Sequence, residues 1–147
     1  MDELINIIKN SIPLIDLRAP IEFDKGAFPS SVNIPILNDE QRSEVGIKYK
    51  KEGNKEAEKL GFKLVENQQH QIVDLWKKFI KKNPSTYIYC MRGGKRSQIA
   101  KSWLHYEGIN VPTIEGGYKA LRNSAIEILN SVNNDHKSWV ILAGRTG

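Results

Sequence analysis

Thr86-Tyr87-Ile88-Tyr89-Cys90-Met91-Arg92-Gly93-Gly94-Lys95-Arg96-Ser97 is the stretch that decides how this chain is read. An apolar, β-favouring run ends in the only cysteine among 147 residues, and an amphipathic helical pattern follows from Gln98. A strand, a glycine-bearing loop and a helix in that order make one unit of a parallel α/β sheet. The loop then lies at the carboxyl end of a strand, where such sheets bind their ligands. The helix start offers unpaired backbone N–H groups and the positive end of a dipole. Gly93 and Gly94 let the backbone curl into a nest of N–H groups, and Arg92, Lys95 and Arg96 add full positive charge. All three effects favour the thiolate, the reactive form of a thiol. A lone cysteine at a strand end is usually a small buried hydrophobe; the glycine pair, the cations and the strand-to-helix setting make Cys90 a candidate nucleophile instead.

The rest of the composition bounds the setting. A length of 147 residues suits one domain with one core. Hydrophobic residues at 39% and charged residues at 27% are ordinary for a soluble globular protein. No apolar run approaches the ~20 residues that span a bilayer. The start, Met1-Asp2-Glu3-Leu4-Ile5-Asn6, carries acid where a secretory signal carries base. A single cysteine excludes an internal disulfide, and with three scattered histidines (His70, His105 and His136) it argues against a metal site. A cytoplasmic protein, with Cys90 reduced and no cofactor of its own, is expected. The net charge of +5 and pI near 9.3 permit a polyanionic partner such as nucleic acid. Solvating lysines give the same charge, so it counts only beside a more specific motif.

Strands and helices alternate along the chain. Ile12–Leu17 reads as a short buried strand and Ser31–Pro35 as another, ended by its proline. Between them, Pro20–Gly26 reads as one helical turn closed by glycine. Glu40–Leu60 is charged and helix-permissive, interrupted by Gly46 and Gly53, and reads as two short helices. Val45, Ile47, Tyr49, Ala57 and Leu60 give them a way to reach a core. Glu66–Lys82 is the clearest amphipathic helix, with Ile72, Val73, Leu75, Trp76, Phe79 and Ile80 opposite lysines and Asn83-Pro84 as its stop. A helix through Ile99, Ala100, Trp103, Leu104 and Tyr106 ends at Gly108. A strand at Val111–Ile114 leads into Glu115-Gly116-Gly117, a helix runs from Tyr118 to about Val132, and Trp139–Leu142 forms a last strand. The expected fold is α/β: a mostly parallel central sheet with helices on both faces. Cys90, Asp16 and Glu115 then share the carboxyl edge of that sheet.

Several pieces stand in a familiar order: Asp16-Leu17-Arg18, Glu22-Phe23 with Gly26 and Pro29, Asn33-Ile34-Pro35, the Cys90 loop with Arg96-Ser97, and Glu115-Gly116-Gly117-Tyr118. This pattern resembles the rhodanese-like family, which implies a three-layer α/β domain whose loop cysteine carries transferred sulfur. Within it, the chain is similar to the N-terminal part of the bacterial tRNA 2-selenouridine synthases. The Tyr89-Cys90-x-Arg92-Gly93-Gly94-x-Arg96-Ser97 loop, the insert from Glu44-Val45-Gly46 through Tyr49-Lys50 to Leu64-Val65, and the end Ile141-Leu142-Ala143-Gly144-Arg145-Thr146-Gly147 carry that similarity. A hydrophobic strand running into Gly-Arg-Thr-Gly is how a phosphate-binding P-loop begins, here without the Gly-Lys-Ser/Thr that follows. The resemblance therefore divides the chain into a rhodanese-like domain at 1–137 and the truncated start of a P-loop domain at 138–147.

For the complete enzyme the resemblance implies replacement of sulfur by selenium in 2-thiouridine at the tRNA wobble position. Selenophosphate is then the donor, and a geranylated intermediate is made from geranyl diphosphate. Cys90 is the implied nucleophile, and Met91, Arg92, Gly93, Gly94, Lys95, Arg96 and Ser97 the implied anion-binding loop. The implied partners are tRNA and the P-loop domain. Five residues separate Cys90 from Arg96, where most sulfur-transfer rhodaneses have four. Cys-x5-Arg-Ser is also the signature of cysteine-dependent phosphatases and arsenate reductases, which keeps oxyanion hydrolysis open as an alternative. A non-catalytic tRNA-docking module is another. Asp16 and Arg18 either position the loop or form an ion pair tying strand to loop. Glu115 either orients substrate or caps the next turn, and Ser97 is expected to cap its helix.

Overall fold

The computed structural model of the chain describes residues 2–132, 140 and 142–144. Three short parallel strands form its sheet in the order β2-β1-β3. β1 (Leu14–Asp16) is central, between β2 (Ser31–Asn33) and β3 (Tyr87–Tyr89), with Ile15 opposite both Val32 and Ile88. Central strands of a parallel sheet are buried on both faces, and Leu14, Ile15 and Asp16 are all buried. Their side chains alternate between faces, as the two-residue strand period requires. Ile15 and Ile88 join one core cluster with Val73, Trp76, Ala100 and Leu104, while Leu14 and Tyr89 join another with Ile7, Ile114 and Leu121.

Those clusters define the layers. On the first face pack α5 (Gln69–Lys82) and α6 (Lys95–Tyr106); on the second pack α1 (Asp2–Lys9) and α7 (Gly117–Ser131). Helices therefore cover both faces of a parallel sheet, the expected α/β arrangement. Trp76 anchors the first face: it is fully buried, and its indole N–H donates to the Ile34 carbonyl at 3.0 Å, meeting the need of a buried aromatic for a polar partner. α1 lay outside the sequence reading, although Leu4, Ile7 and Ile8 repeat at helical spacing and pack against the second cluster.

Between β1 and β2 lies α2 (Pro20–Asp24). Between β2 and α5 stand α3 (Asp39–Glu52) and α4 (Asn54–Val65). Asn38 opens α3 with a reciprocal cap: its side chain accepts from the Gln41 N–H at 2.8 Å, and the Gln41 side chain accepts from the Asn38 N–H at 3.0 Å. Only Gly53, at φ 85°, breaks the pair; Gly46 lies inside α3, contrary to the interruption expected there. Ala57 reaches the core, but Ile47 and Tyr49 are 52% and 58% exposed. They line an open groove beside the hairpin instead of the interior.

Other expectations change at the edges. The strand expected at Val111–Ile114 reduces to one parallel bridge, Ile88 to Thr113, flanked by Ile88 N–H to Pro112 O and Ile114 N–H to Ile88 O, both 3.0 Å. Pro112 has no N–H to extend a ladder, and the chain turns into Gly116 directly afterwards. Leu75 and Tyr106 are exposed, because Ile72, Val73, Trp76, Phe79 and Ile80 already fill the α5 stripe and position 75 falls beside it. For the strand expected at Trp139–Leu142, Trp139 and Ile141 lie outside the described residues. Val140 and Leu142 are exposed and lie in no strand among the described residues. Among the described residues no helix is long and apolar enough to cross a membrane.

A Cβ placed on Gly46 would meet nothing within 4 Å. Gly46→Ala should therefore raise stability by about 0.5–1 kcal/mol, read as a higher urea midpoint with an unchanged slope.

Candidate active site

β3 delivers Cys90 to the carboxyl edge of the sheet, buried at 3% exposure, and α6 starts at Lys95. Among the described residues, no backbone N–H from Met91 through Ser97 has an acceptor within the protein. Such a run of unspent donors at a helix start is an anion-binding arrangement. Ser97 adds to it. Gly94, not Ser97, holds the cap position of α6, and Ser97 sits inside the first turn with its hydroxyl buried and, among the described residues, without a hydrogen-bond partner. The expected capping role is thus corrected: the hydroxyl is a free donor beside the loop.

The loop is clamped from below by the start of α7. Tyr118 N–H donates to the Cys90 carbonyl at 2.9 Å and Lys119 N–H to the Met91 carbonyl at 3.1 Å. This approach requires glycines on both sides. Gly117 has φ 60°, and a Cβ there would lie 2.2 Å from the Cys90 oxygen and 2.6 Å from the Gly93 nitrogen. Gly93 has φ 68°, and its Cβ would lie 2.9 Å from both the Ile114 oxygen and the Gly116 nitrogen. One glycine of each pair read from the sequence, Gly93 and Gly117, thus interlocks with the other, and the N–H groups of Tyr118 and Lys119 are spent on the loop carbonyls.

The cations divide into bound and free. Arg96 Nη1 and Nη2 donate to Glu22 at 2.7 and 3.3 Å, and Arg42 Nε pairs with the same carboxylate at 3.0 Å. Glu22 also accepts from the Ala19 N–H at 3.0 Å. Burial alone would raise its carboxyl, but the hydrogen bond and charge of Arg96, the Ala19 N–H and the charge of Arg42 hold it below the ordinary value. Lys95 meets Glu58 at 3.3 Å. Arg92 is exposed and has no carboxylate partner among the described residues.

Asp16 and Arg18 form a buried pair that underlies the loop. Arg18 Nη2 donates to Asp16 Oδ2 at 2.6 Å and to the Gly26 carbonyl at 2.8 Å, and the Arg18 N–H donates to Asp16 Oδ1 at 2.9 Å. Tyr89, the residue before Cys90, donates its hydroxyl to Asp16 Oδ2 at 2.7 Å. The guanidinium lies 3.8 Å from the Tyr118 ring centroid, a cation–π contact at the start of α7. Burial would lower the Arg18 pKa, but the Asp16 hydrogen bond and charge raise it. Burial first, and the Asp16 charge with it, push Tyr89 well above the usual phenol range, so Tyr89 stays a proton donor. Of the expected alternatives, the geometry is that of an ion pair tying β1 to both ends of the loop.

Glu115 is exposed, with no hydrogen bond or ion pair among the described residues, and Gly116 takes the cap position of α7, so the capping role is not seen. Tyr89, Glu22, Arg42 and Tyr118 join the site although residue order alone does not single them out for it. Glu22 carried a legible signal, since an acid at the third position of a short helix can reach back to its start. Its cross-chain pairing with Arg96 carried none.

Known proteins resemble this chain in sequence and fold. A family model described as the rhodanese-like domain matches residues 1–124. The chain is 49% identical over 142 residues to the tRNA 2-selenouridine synthase of Shewanella pealeana, covering 96% of this chain and 39% of that protein. It is 48% identical over 143 residues to the protein of the same name from Sulfurovum sp. (strain NBC37-1), covering 97% of this chain and 39% of that protein. The chain thus spans about two fifths of the length of these relatives. Among solved structures, the N-terminal domain of a Clostridium difficile 630 protein, provisionally named an ATP/GTP binding protein, matches with a TM-score of 0.74 and 32% identity. That match covers 79% of this chain and 90% of that one.

Two outcomes follow from the buried charges. Arg18→Met removes the partner of a fully buried carboxylate and should cost about 3–5 kcal/mol, measured by urea unfolding. The depressed Glu22 carboxyl contributes stability above its unfolded pKa, and that contribution is lost as pH falls through the folded value. The stability gap between wild type and Glu22→Gln should therefore shrink as pH drops from about 5.5 towards 3, in thermal melts run across that range.

Proposed function

We propose, from the premise that this chain belongs to the rhodanese-like domain family, that it is the nucleophile-bearing part of a tRNA-modifying selenotransferase. The observation that carries this reading is the run of unspent N–H donors from Met91 to Ser97, with the free Ser97 hydroxyl, directly after Cys90. The 48–49% identity to proteins named tRNA 2-selenouridine synthase supports the substrate class. Cys90 is the essential nucleophile, and the neutral donors of its loop hold a tetrahedral anion beside it. That anion is selenophosphate. The complete reaction replaces sulfur by selenium in wobble 2-thiouridine through a geranylated intermediate formed from geranyl diphosphate.

Each loop residue has a part in this reading. Gly93 and Gly94 shape the cradle, Met91 and Arg92 supply its first N–H groups, and Lys95, Arg96 and Ser97 supply those of the helix start. Glu22 fixes the Arg96 guanidinium at the rim, leaving its other N–H groups for the anion. Asp16, Arg18 and Tyr89 act through the loop backbone as positioning residues. Arg92 and the lysine-rich surface engage tRNA phosphates, a contact that weakens with salt. A P-loop domain, led into by residues 138–147 after the rhodanese-like domain at 1–137, completes the site.

The test is Cys90→Ser in the full-length protein carrying this domain, assayed by selenation of thiolated tRNA. A loss of about 10³-fold or more is expected, with an unchanged melting temperature. Undiminished selenation would overturn the reading in favour of a tRNA-docking module. Hydrolysis of a generic aryl phosphate by this chain, abolished in Cys90→Ser, would overturn it in favour of a phosphatase.

A further inference from the structure

The lysines and arginines of the surface sort by where they stand on their helices. Lys9, Lys50, Lys51, Lys63, Lys81 and Lys82 lie in the last turns of α1, α3, α4 and α5. A cation there answers the negative end of the helix dipole, and folding alone accounts for it. At the start of α6 the cations Lys95 and Arg96 are compensated by Glu58 and Glu22. Lys119 differs. It is exposed in the first turn of α7, which holds no acid, and it has no carboxylate partner among the described residues. Arg122, three residues on, is exposed and equally unpaired among them. Gly117, Leu121 and Ser124 form the buried side of α7, so Lys119 and Arg122 share its outer face.

Two more unpaired cations stand on the same side of the Cys90 loop. The Lys119 N–H donates to the Met91 carbonyl at 3.1 Å, which puts the start of α7 beside the exposed Arg92. Lys25, exposed and without an ion pair among the described residues, closes α2. The chain after it packs on the same helix start: Phe28 meets Tyr118 edge-on at 6.1 Å, and a Cβ on Gly26 would lie 2.9 Å from the Tyr118 hydroxyl. Four cations thus border the loop there, against two exposed acids, Asp24 and Glu115. On the hairpin side Arg42, Lys48, Lys59 and Lys95 each meet a carboxylate. Cations gathered beside the positive ends of α6 and α7 repel both those ends and one another, and a polyanion laid across them relieves that repulsion.

We infer that an RNA strand reaches the Cys90 loop from the α2–α7 side, its phosphates held by Lys25, Arg92, Lys119 and Arg122, and not across the α3–α4 hairpin. Charges on long flexible stems suit backbone phosphates, which position a nucleic acid without reading its sequence. This deepens the reading above and rests on it for the identity of the polyanion. It narrows the lysine-rich surface to one side of the loop.

The experiment measures binding of fluorescently labelled tRNA to this chain by anisotropy over a range of salt. Lys119→Ala with Arg122→Ala should weaken binding about tenfold at about 0.1 M salt and make its salt dependence shallower by about two phosphate contacts. Lys50→Ala with Lys51→Ala removes the same charge from the hairpin and should change the affinity by less than about twofold. All four positions are exposed, and the first pair should not lower the melting temperature, because a helix start gains nothing from a cation. Equal weakening by both pairs, greater weakening by the hairpin pair, or no tRNA binding by the chain would overturn the inference. A fall in melting temperature of about 3 °C or more in the first pair would make those residues structural and overturn it too. Polyglutamate binding as tightly as tRNA at equal charge would assign the face to an acidic protein instead. In the full-length protein, Cys90-dependent selenation indifferent to the Lys119 and Arg122 substitutions sinks this approach and leaves the proposed function standing. Selenation that survives Cys90→Ser, with tRNA binding that still needs Lys119 and Arg122, does the reverse.

Discussion

The buried pair of Asp16 and Arg18 is the interaction on which the site depends. Both side chains are essentially sealed from water, at 0% and 1% exposure, and moving two charges out of water is costly unless every donor and lone pair finds a partner. Here the partners are the structure itself. Tyr89 gives Asp16 a hydroxyl, Gly26 gives Arg18 a carbonyl, and Tyr118 gives the guanidinium a ring face. Asn33 adds hydrogen bonds to the carbonyls of Asp16 and Arg18, at 3.1 and 2.8 Å, fixing β2 to the same point. A geometry with so many simultaneous requirements admits one placement of the β3 end and of the α7 start. Between those ends lies the Cys90 loop, positioned by residues that never touch its thiol.

That placement sets how close two backbones come. The α7 start donates to the Cys90 and Met91 carbonyls, an approach that leaves no room for a Cβ at Gly117 or Gly93. Turning the loop carbonyls towards α7 leaves the N–H groups from Met91 to Ser97 without partners. Backbone donors held this way need no reorganisation when an anion arrives, which is the condition for strong electrostatic stabilisation. The steric demand of the glycines and the chemistry of the loop are one constraint seen from two sides.

Much of this was legible in residue order because it rests on local rules. Tyr87–Tyr89 before a Gly-Gly loop and a helical pattern gives strand, loop and helix, and the apolar alternation around Ile15 gives the central strand. What failed to show were contacts across the chain. Glu22 and Arg96 lie 74 positions apart, and no periodicity links them. Ser97 is a false cap signal: α6 begins three residues before a Ser97 cap would start it, because Gly94 caps without a side chain and leaves no polar signature. Ile47 and Tyr49 were assigned to a core because apolar residues at helical spacing normally face one. The hairpin instead stands away from the first-face core, and apolar spacing alone does not distinguish an interior from a groove.

The charge balance of the loop also differs from its composition, with consequences for mechanism. Three cations follow Cys90 in sequence, yet Arg96 shares Glu22 with Arg42 and Lys95 reaches Glu58. Two of the three are therefore largely compensated, and the neutral backbone donors carry the local preference for an anion. Such donors act at short range and are little screened by salt, whereas the exposed Arg92 and the surface lysines act at a distance and are. Loop donors and surface cations therefore attract negative charge by physically distinct means. Glu22 stands between them: it offsets part of the rim charge and fixes the Arg96 guanidinium beside the loop. The same carboxylate ties α2 to α3 through Arg42, so the charge at the loop and the approach of the hairpin meet at a single buried acid.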